Sequence, residues 1–177
     1  MTRIIGGKLK GRTINAPPGL PVRPTTDFAK EGLFNLLTHR IEFESTKALD
    51  LFAGTGNISF ELASRGCPSV FAVDADYRCA KFISEAAQKY DLPAIRVMRS
   101  DVYIFLRKAK GQWDLIFADP PYEQQETADL PGLIFKKDML APDGLLVIEH
   151  TQRLQFTDTS RRKEQRTYGK VNFSIFG

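Results

Sequence analysis

Lys47-Ala48-Leu49-Asp50-Leu51-Phe52 followed by Ala53-Gly54-Thr55-Gly56-Asn57 reads as a buried strand that runs into a glycine loop and opens a helix over Asn57–Arg65. Glycines at such a corner permit tight turning and close backbone approach to a ligand. Downstream the alternation repeats. Ser69–Asp74, Ala94–Arg99, Trp113–Asp119 and Gly144–His150 read as strands. Between them Ala80, Ile83, Ala87 and Tyr90 recur at helical spacing, Val102–Lys108 forms a short helical stretch, and Thr127–Met139 a longer one interrupted by Pro131. Strands alternating with helices predict an α/β fold built on a doubly wound, mostly parallel sheet.

Outside this block, Phe28–His39 carries Ala29, Leu33, Leu36 and Leu37 on one face, with Thr26 or Asp27 as cap. The first fifteen residues alternate around Gly6-Gly7 and Gly11 and predict a small β-hairpin, followed by an extended linker at Pro17-Pro18-Gly19 and Pro21. Arg161–Tyr168 and Val171–Phe176 flank Gly169-Lys170, a hairpin signal that predicts an antiparallel edge. The chain therefore divides into a basic hairpin and linker over 1–26 and one compact domain over 27–177.

Of 177 residues, 42% are hydrophobic and 26% charged, as in ordinary globular proteins. No apolar run is long enough to span a membrane, and the N-terminus shows no secretory pattern. Cys67 and Cys79 alone cannot frame a disulfide scaffold, and the expected compartment is the cytoplasm. His39 and His150 have no companion at metal-ligand spacing, so no metal is expected. The net charge of +4 is unevenly spread: residues 1–30 carry +5, residues 153–177 carry +4, and the middle −5. Basic arms flanking an acidic core suit a polyanion such as nucleic acid. Most of the 13 Phe residues read as core, with Phe173 and Phe176 as possible exceptions.

The acids carry the chemistry. Ser59 occupies the third glycine position of a dinucleotide fingerprint, and Asp50 precedes the loop, where it repels a pyrophosphate but attracts a cation. Asp74, ending its strand twenty residues beyond Gly54, suits either ribose hydroxyls or a helix cap, with Asp76 competing. Asp101 suits either an adenine amino group or the cap of Val102–Lys108. Asp119-Pro120-Pro121-Tyr122 ends a buried strand with an acceptor, a rigid exit and a flat aromatic, a corner for gripping a planar group that carries an amino substituent. A phosphate-free adenosine with a positive centre near Asp50 and Asp119 answers these charges, and S-adenosylmethionine is such a ligand.

With this order of motifs the chain resembles class I S-adenosylmethionine-dependent methyltransferases acting on exocyclic amino groups. Arg3–Arg12, Arg23-Pro24-Thr25-Thr26-Asp27 and Leu33-Phe34-Asn35 narrow the resemblance to the bacterial ribosomal RNA small subunit methyltransferase D family, over nearly the whole chain. That resemblance implies a seven-stranded sheet and methylation of guanine N2 in 16S ribosomal RNA. It places Ala53, Gly54, Thr55, Gly56 and Asn57 around the methionine part of the cofactor, Asp74 on the ribose and Asp101 by the adenine, and Asp50, Phe52 and Asp119 are further cofactor-binding candidates. Thr25 and Thr26 lie in a segment that closes the site. Phe28, where many relatives have Arg, and Asn57, in place of a small residue, depart from the family pattern.

The expected catalytic group is Asp119, Pro120, Pro121 and Tyr122: Asp119 and the Pro120 carbonyl accept from the amino group, and Tyr122 stacks on a base drawn from its helix. Lys8, Lys10, Arg12, Arg23, Arg161, Arg162, Lys163 and Arg166 are the candidates for RNA phosphates. The expected partner is 16S ribosomal RNA or an assembling small subunit, met by a monomer. The alternatives are a DNA adenine or cytosine amino-methyltransferase and a catalytically silent RNA-binding relative.

Overall fold

The computed structural model describes residues 2–20, 26–121 and 125–177. Five parallel strands form its centre: β3 (Lys47–Leu51), β4 (Ser69–Asp74), β5 (Ile95–Arg99), β6 (Trp113–Ala118) and β7 (Leu140–His150). β9 (Val171–Phe176) pairs antiparallel with β7, and β8 (Arg162–Tyr168) pairs antiparallel with β9. The order is β5-β4-β3-β6-β7-β9-β8, a seven-stranded sheet whose antiparallel edge is the C-terminal hairpin. β1 (Thr2–Arg3) and β2 (Thr13–Ile14) make the separate N-terminal hairpin. Strand order reverses between β3 and β6, so the carboxyl edge there is the crevice in which such sheets bind ligands.

Each face of the sheet is covered. On one, α1 (Asp27–Thr38), α2 (Asn57–Ser64) and α3 (Tyr77–Lys89) bury Leu33, Phe34, Phe60 and Ile83 against Ala48, Val70, Phe117 and Val147. On the other, α4 (Val102–Lys108) and α5 (Leu130–Lys136) bury Phe105, Leu106 and Ile134 against Leu49, Ile116 and Ile148. Phe173 and Phe176 are fully buried members of these cores; Phe34, Phe60, Phe105, Phe117 and Phe156 are buried with them, Phe43, Phe52, Phe71, Phe82 and Phe135 pack against them partly buried, and Phe28 is exposed.

Three boundaries shift for local reasons. α3 starts at Tyr77, earlier than the apolar spacing alone implies, because the Asp76 carboxylate accepts from Arg78 N and Cys79 N. The stretch read as one helix from Thr127 is a 3₁₀ segment over Gln125–Asp129 followed by α5, whose first turn takes Pro131, where a missing N–H costs nothing. β7 begins at Leu140, ahead of Gly144, with an irregular register against Trp113 and Leu115. For α1, Thr26 is the cap: its Oγ1 accepts from Ala29 N at 3.2 Å.

The N-terminal hairpin is built into the main core, since Ile4 and Ile14 are buried in the α1–α3 cluster. A buried ion pair fastens it. The Lys30 Nζ, fully enclosed, donates to the Arg3 carbonyl (2.5 Å) and to Asn57 Oδ1 (2.9 Å), and lies 3.3 Å from Glu61 Oε2. Glu61 in turn accepts from Ile5 N and from Arg65 Nε, each at 2.9 Å. Burial lowers the Lys30 pKa, and the Glu61 carboxylate opposes that shift. Further along, Ser64 Oγ donates to the Gly6 carbonyl and accepts from Leu9 N. Gly7, at φ +71, passes so close to the Ser64 carbonyl that no Cβ fits.

Removing one member of a buried pair strands the other charge. Lys30→Met is expected to cost about 3–5 kcal/mol in urea unfolding. Lys30→Met with Glu61→Gln is expected to recover part of that loss; a double variant no more stable than the single one would contradict the pairing.

Candidate active site

β3 delivers Asp50 to the carboxyl edge with only 1% of its surface exposed. Ser59 Oγ, one turn into α2, donates to Asp50 Oδ2 at 2.5 Å. The residue that breaks the dinucleotide fingerprint thus holds the acid in front of the loop. Burial pushes the Asp50 pKa up to about 7, against the Ser59 hydrogen bonds, and the Asp74 charge adds to the rise. Phe52 then leaves the strand at φ 60, a left-handed conformation that is strained for a bulky residue, with its ring edge-on to Tyr103 at 5.9 Å.

The glycine loop is tight. Gly56, at φ +73, caps α2, and a Cβ there would meet Ile83 and Phe60 at 2.9 Å. Gly54 N donates to Asp74 Oδ2 at 2.7 Å, and Asp76 N to Asp74 Oδ1 at 2.8 Å. Asp74 therefore braces the loop, while Asp76 caps α3, its carboxyl held down at about 2 by the Arg78 guanidinium. Each Asp74 oxygen keeps a further lone pair for a hydroxyl. Asp101 caps α4, with Oδ1 accepting from Ile104 N at 2.8 Å, and it is exposed at the same edge. Both alternatives raised for Asp101 thus remain compatible with its place, and the cap is realised. Asn57 is buried, its Oδ1 spent on Lys30.

Asp119 follows β6 on the neighbouring strand, its N–H reaching the Leu51 carbonyl at 3.3 Å. Burial raises its pKa well above the usual carboxylate range, and the charges of Glu149 and Asp50 raise it further. Pro120 is buried and Pro121 exposed. Tyr122, Thr25 and Arg23 lie outside the described residues. Asp50, the loop, Asp74, Asp101 and Asp119 thus converge on one edge. Among the described residues no Lys or Arg forms an ion pair with Asp50, Asp74 or Asp119. A set of acceptors without cations suits a positively charged, phosphate-free ligand.

The basic candidates are dispersed. Lys8 donates to the Asp91 carbonyl beyond the C-terminus of α3, at the edge opposite Asp119. Lys10 and Arg12 are exposed near it: Lys10 closes the turn at the tip of the hairpin, where Leu9 N donates to Ser64 Oγ at the C-terminal end of α2, and the Arg12 carbonyl accepts from Ile4 N. Arg161, over the Phe135 ring, Arg162 and Lys163 sit toward that same far edge. Arg166 pairs with Phe173, opposite Glu149, and so lies nearer the site, bridged to Glu164. At the carboxyl edge itself stand Arg78, Arg99 over the exposed Tyr77 ring, and Lys170 in the β8–β9 turn. Charge counting along the sequence missed these, because only topology says which edge a cation occupies. Glu149 was missed too, an acid that reads as the tail of an apolar strand.

His150 is structural: its Nδ1–H donates to the Thr151 carbonyl, so Nε2 accepts from Ser174 Oγ, both at 2.8 Å. Burial lowers its pKa.

Because the folded Asp50 pKa lies above the unfolded value near 3.9, its neutral form favours the fold at low pH, and that contribution is lost as pH rises to about 7. Unfolding free energy is expected to fall between about pH 4 and pH 7, on the order of 1 kcal/mol per pH unit for a fully shifted group, and to level off above that. Asp50→Asn should flatten this dependence, and an unchanged slope would contradict the raised pKa.

Comparison with known proteins agrees with this architecture. The family model described as Conserved hypothetical protein 95 matches residues 2–177. A putative rRNA methyltransferase, YlbH of Bacillus subtilis, is 34% identical over 98% of this chain and 97% of its own. The ribosomal RNA small subunit methyltransferase D of Escherichia coli is 29% identical over 83% of this chain and 73% of its own. Among solved structures, a putative methyltransferase yhhF from Escherichia coli superposes with a TM-score of 0.87 at 24% identity, covering 99% of this chain and 96% of that one. A hypothetical protein of Thermus thermophilus, TTHA0928, gives 0.85 at 28%, with 99% of each chain covered. The class I methyltransferase fold expected from the motifs is the fold observed, and the chain belongs to the conserved hypothetical protein 95 family, which bears out its resemblance to the ribosomal RNA small subunit methyltransferase D proteins.

Proposed function

We propose that this protein transfers a methyl group from S-adenosylmethionine to the exocyclic N2 of a guanine in small-subunit ribosomal RNA. The observation that carries the reading is Asp119, a carboxyl of raised proton affinity held at the end of β6 beside the glycine loop and followed by two prolines. The names of the similar proteins support ribosomal RNA as the substrate.

Gly54–Asn57 and Phe52 would receive the methionine part of the cofactor, Asp74 the ribose and Asp101 the adenine. When bound, the cofactor supplies an electrophilic methyl on a cationic sulfur. Asp50, whose pKa is raised to about 7, and Asp119 are the acids that would hold that cation, and its charge would favour their ionised forms. Thr25 and Thr26 belong to the segment proposed to close over the site.

Guanine N2 is a weak nucleophile because its lone pair is delocalised into the ring. Asp119 accepts a hydrogen bond from the amino group and the Pro120 carbonyl accepts the other, which aligns the nitrogen for attack. As the N–C bond forms, the amino proton becomes acidic, and Asp119 is placed to take it. Tyr122 is assigned the stacking face. Arg23, Arg166, Arg99 and Lys170 are assigned to RNA phosphates, with Lys8, Lys10, Arg12, Arg161, Arg162 and Lys163 reached only by RNA that extends past the site.

Transfer of a labelled methyl group to naked small-subunit RNA, to assembling particles and to DNA tests the substrate, and digestion to nucleosides tests the atom. N2-methylguanosine is expected. Asp119→Ala should lower kcat by about 10²–10⁴-fold with cofactor affinity nearly intact. Full turnover by that variant would refute the assignment, and methylated DNA in place of RNA would refute the substrate.

A further inference from the structure

Ala118 pairs with Ile148 across β6 and β7, so the next residues outward, Asp119 and Glu149, end neighbouring strands at the same edge. Side chains alternate along a strand. Glu149 therefore falls on the face of Val147, Asp119 on the face of Phe117, and Asp50 on the face of Ala48, and all three of those apolar residues belong to the cluster under α1–α3. Three carboxyl groups from adjacent strands thus share one face of the carboxyl edge. Glu149 is only 2% exposed, and after burial its charge is the largest influence on Asp119, ahead of that of Asp50. Cofactor binding as proposed draws on Asp50 and Asp74, and methyl transfer on Asp119. Glu149 is not used by either.

A target base supplies what two neighbouring acceptors need. Guanine displays contiguous N–H donors on its Watson–Crick edge, one at N1 and two at N2. Adenine sets an acceptor, N1, beside its amino group, and cytosine sets N3 there. An ionised carboxylate accepts only. Next to Asp119 it favours the base that brings a second donor and disfavours those that bring a lone pair. We infer that Glu149 is the guanine-selecting residue of this site, accepting the N1–H while Asp119 accepts from N2. This rests on the guanine-N2 reading above and adds to it the group that makes the choice of base. A carboxylate offers about four lone-pair positions, so Glu149 accepts from a base while keeping the interactions it already has.

The test uses an RNA fragment centred on the guanine that the wild-type protein methylates, made with either guanine or 2-aminopurine at that position. 2-Aminopurine keeps the amino group but presents an acceptor at N1. The wild-type protein should prefer guanine by at least about 100-fold in kcat/KM, since sites that hydrogen-bond a donor reject analogues lacking it. Glu149→Gln, near-isosteric, brings an amide N–H that can meet the acceptor. It should lower kcat/KM on guanine by roughly 100-fold and shrink the guanine preference at least tenfold, while the cofactor Kd stays within a few-fold. Loss of O6 in the analogue affects both proteins alike, so the change in ratio isolates N1, and a purely structural role for Glu149 would leave the ratio alone. An unchanged ratio in the variant overturns the assignment. So does equal use of the two bases by the wild-type protein, which needs no variant to fold. A wild-type product other than N2-methylguanosine overturns the reading of the reaction and this assignment with it, whereas N2-methylguanosine with an unchanged ratio overturns the role of Glu149 alone.

Discussion

An ammonium group sealed inside the protein holds its parts in register. Lys30 on α1 reaches the main chain of β1 and both Asn57 and Glu61 on α2, so three segments distant in sequence meet at one nitrogen. Burying a lysine costs several kcal/mol unless its donors are satisfied. Here the carbonyl, amide and carboxylate acceptors account for its three protons. The arrangement fixes the start of α2, and the start of α2 is where the glycine loop ends. The glycine loop is thus anchored from behind by the N-terminal hairpin, a piece that charge and composition mark as a basic arm.

The opposite tactic governs the carboxyl edge. There the sheet gathers acids: Asp50 under Ser59, Asp119 beside Glu149, Asp74 bridging two main-chain N–H groups. Among the described residues Asp50, Asp74 and Asp119 have no ion-pair cation, and burial above all raises the proton affinities of Asp50 and Asp119. Sites that keep such groups poised are characteristic of catalysis, where a bound cation and a reacting amino group complete the electrostatics.

Much of this was legible from the chain because the informative residues are local. The strand-loop-helix around Asp50–Asn57, the acid ending β4 and the D-P-P-Y corner each lie within a few residues of one another, and the C-terminal hairpin announces itself at Gly169-Lys170. What was not legible depends on partners far away in sequence. The difference between Asp74 as a cap and as a brace is decided by Gly54, twenty residues earlier. That the Asn57 side-chain oxygen serves Lys30 is decided by a residue on another helix. Glu149 looks like the polar end of an apolar strand until β6 is laid beside it. The scatter of basic residues between two edges of the sheet is likewise a property of topology, invisible to a count of charges.

β8 closes the sheet on its outer side with Arg162, Lys163, Gln165, Arg166 and Thr167 all exposed along an edge that no other strand pairs among the described residues. An approaching strand, from another molecule or from a nascent chain, would have to strip water from this row of guanidinium and ammonium groups before making its first main-chain hydrogen bond. The sheet therefore ends by charge, as edges of natural sheets commonly do. The same cations keep the protein from growing onto itself, so the basic character of this terminus guards against self-association through the sheet edge.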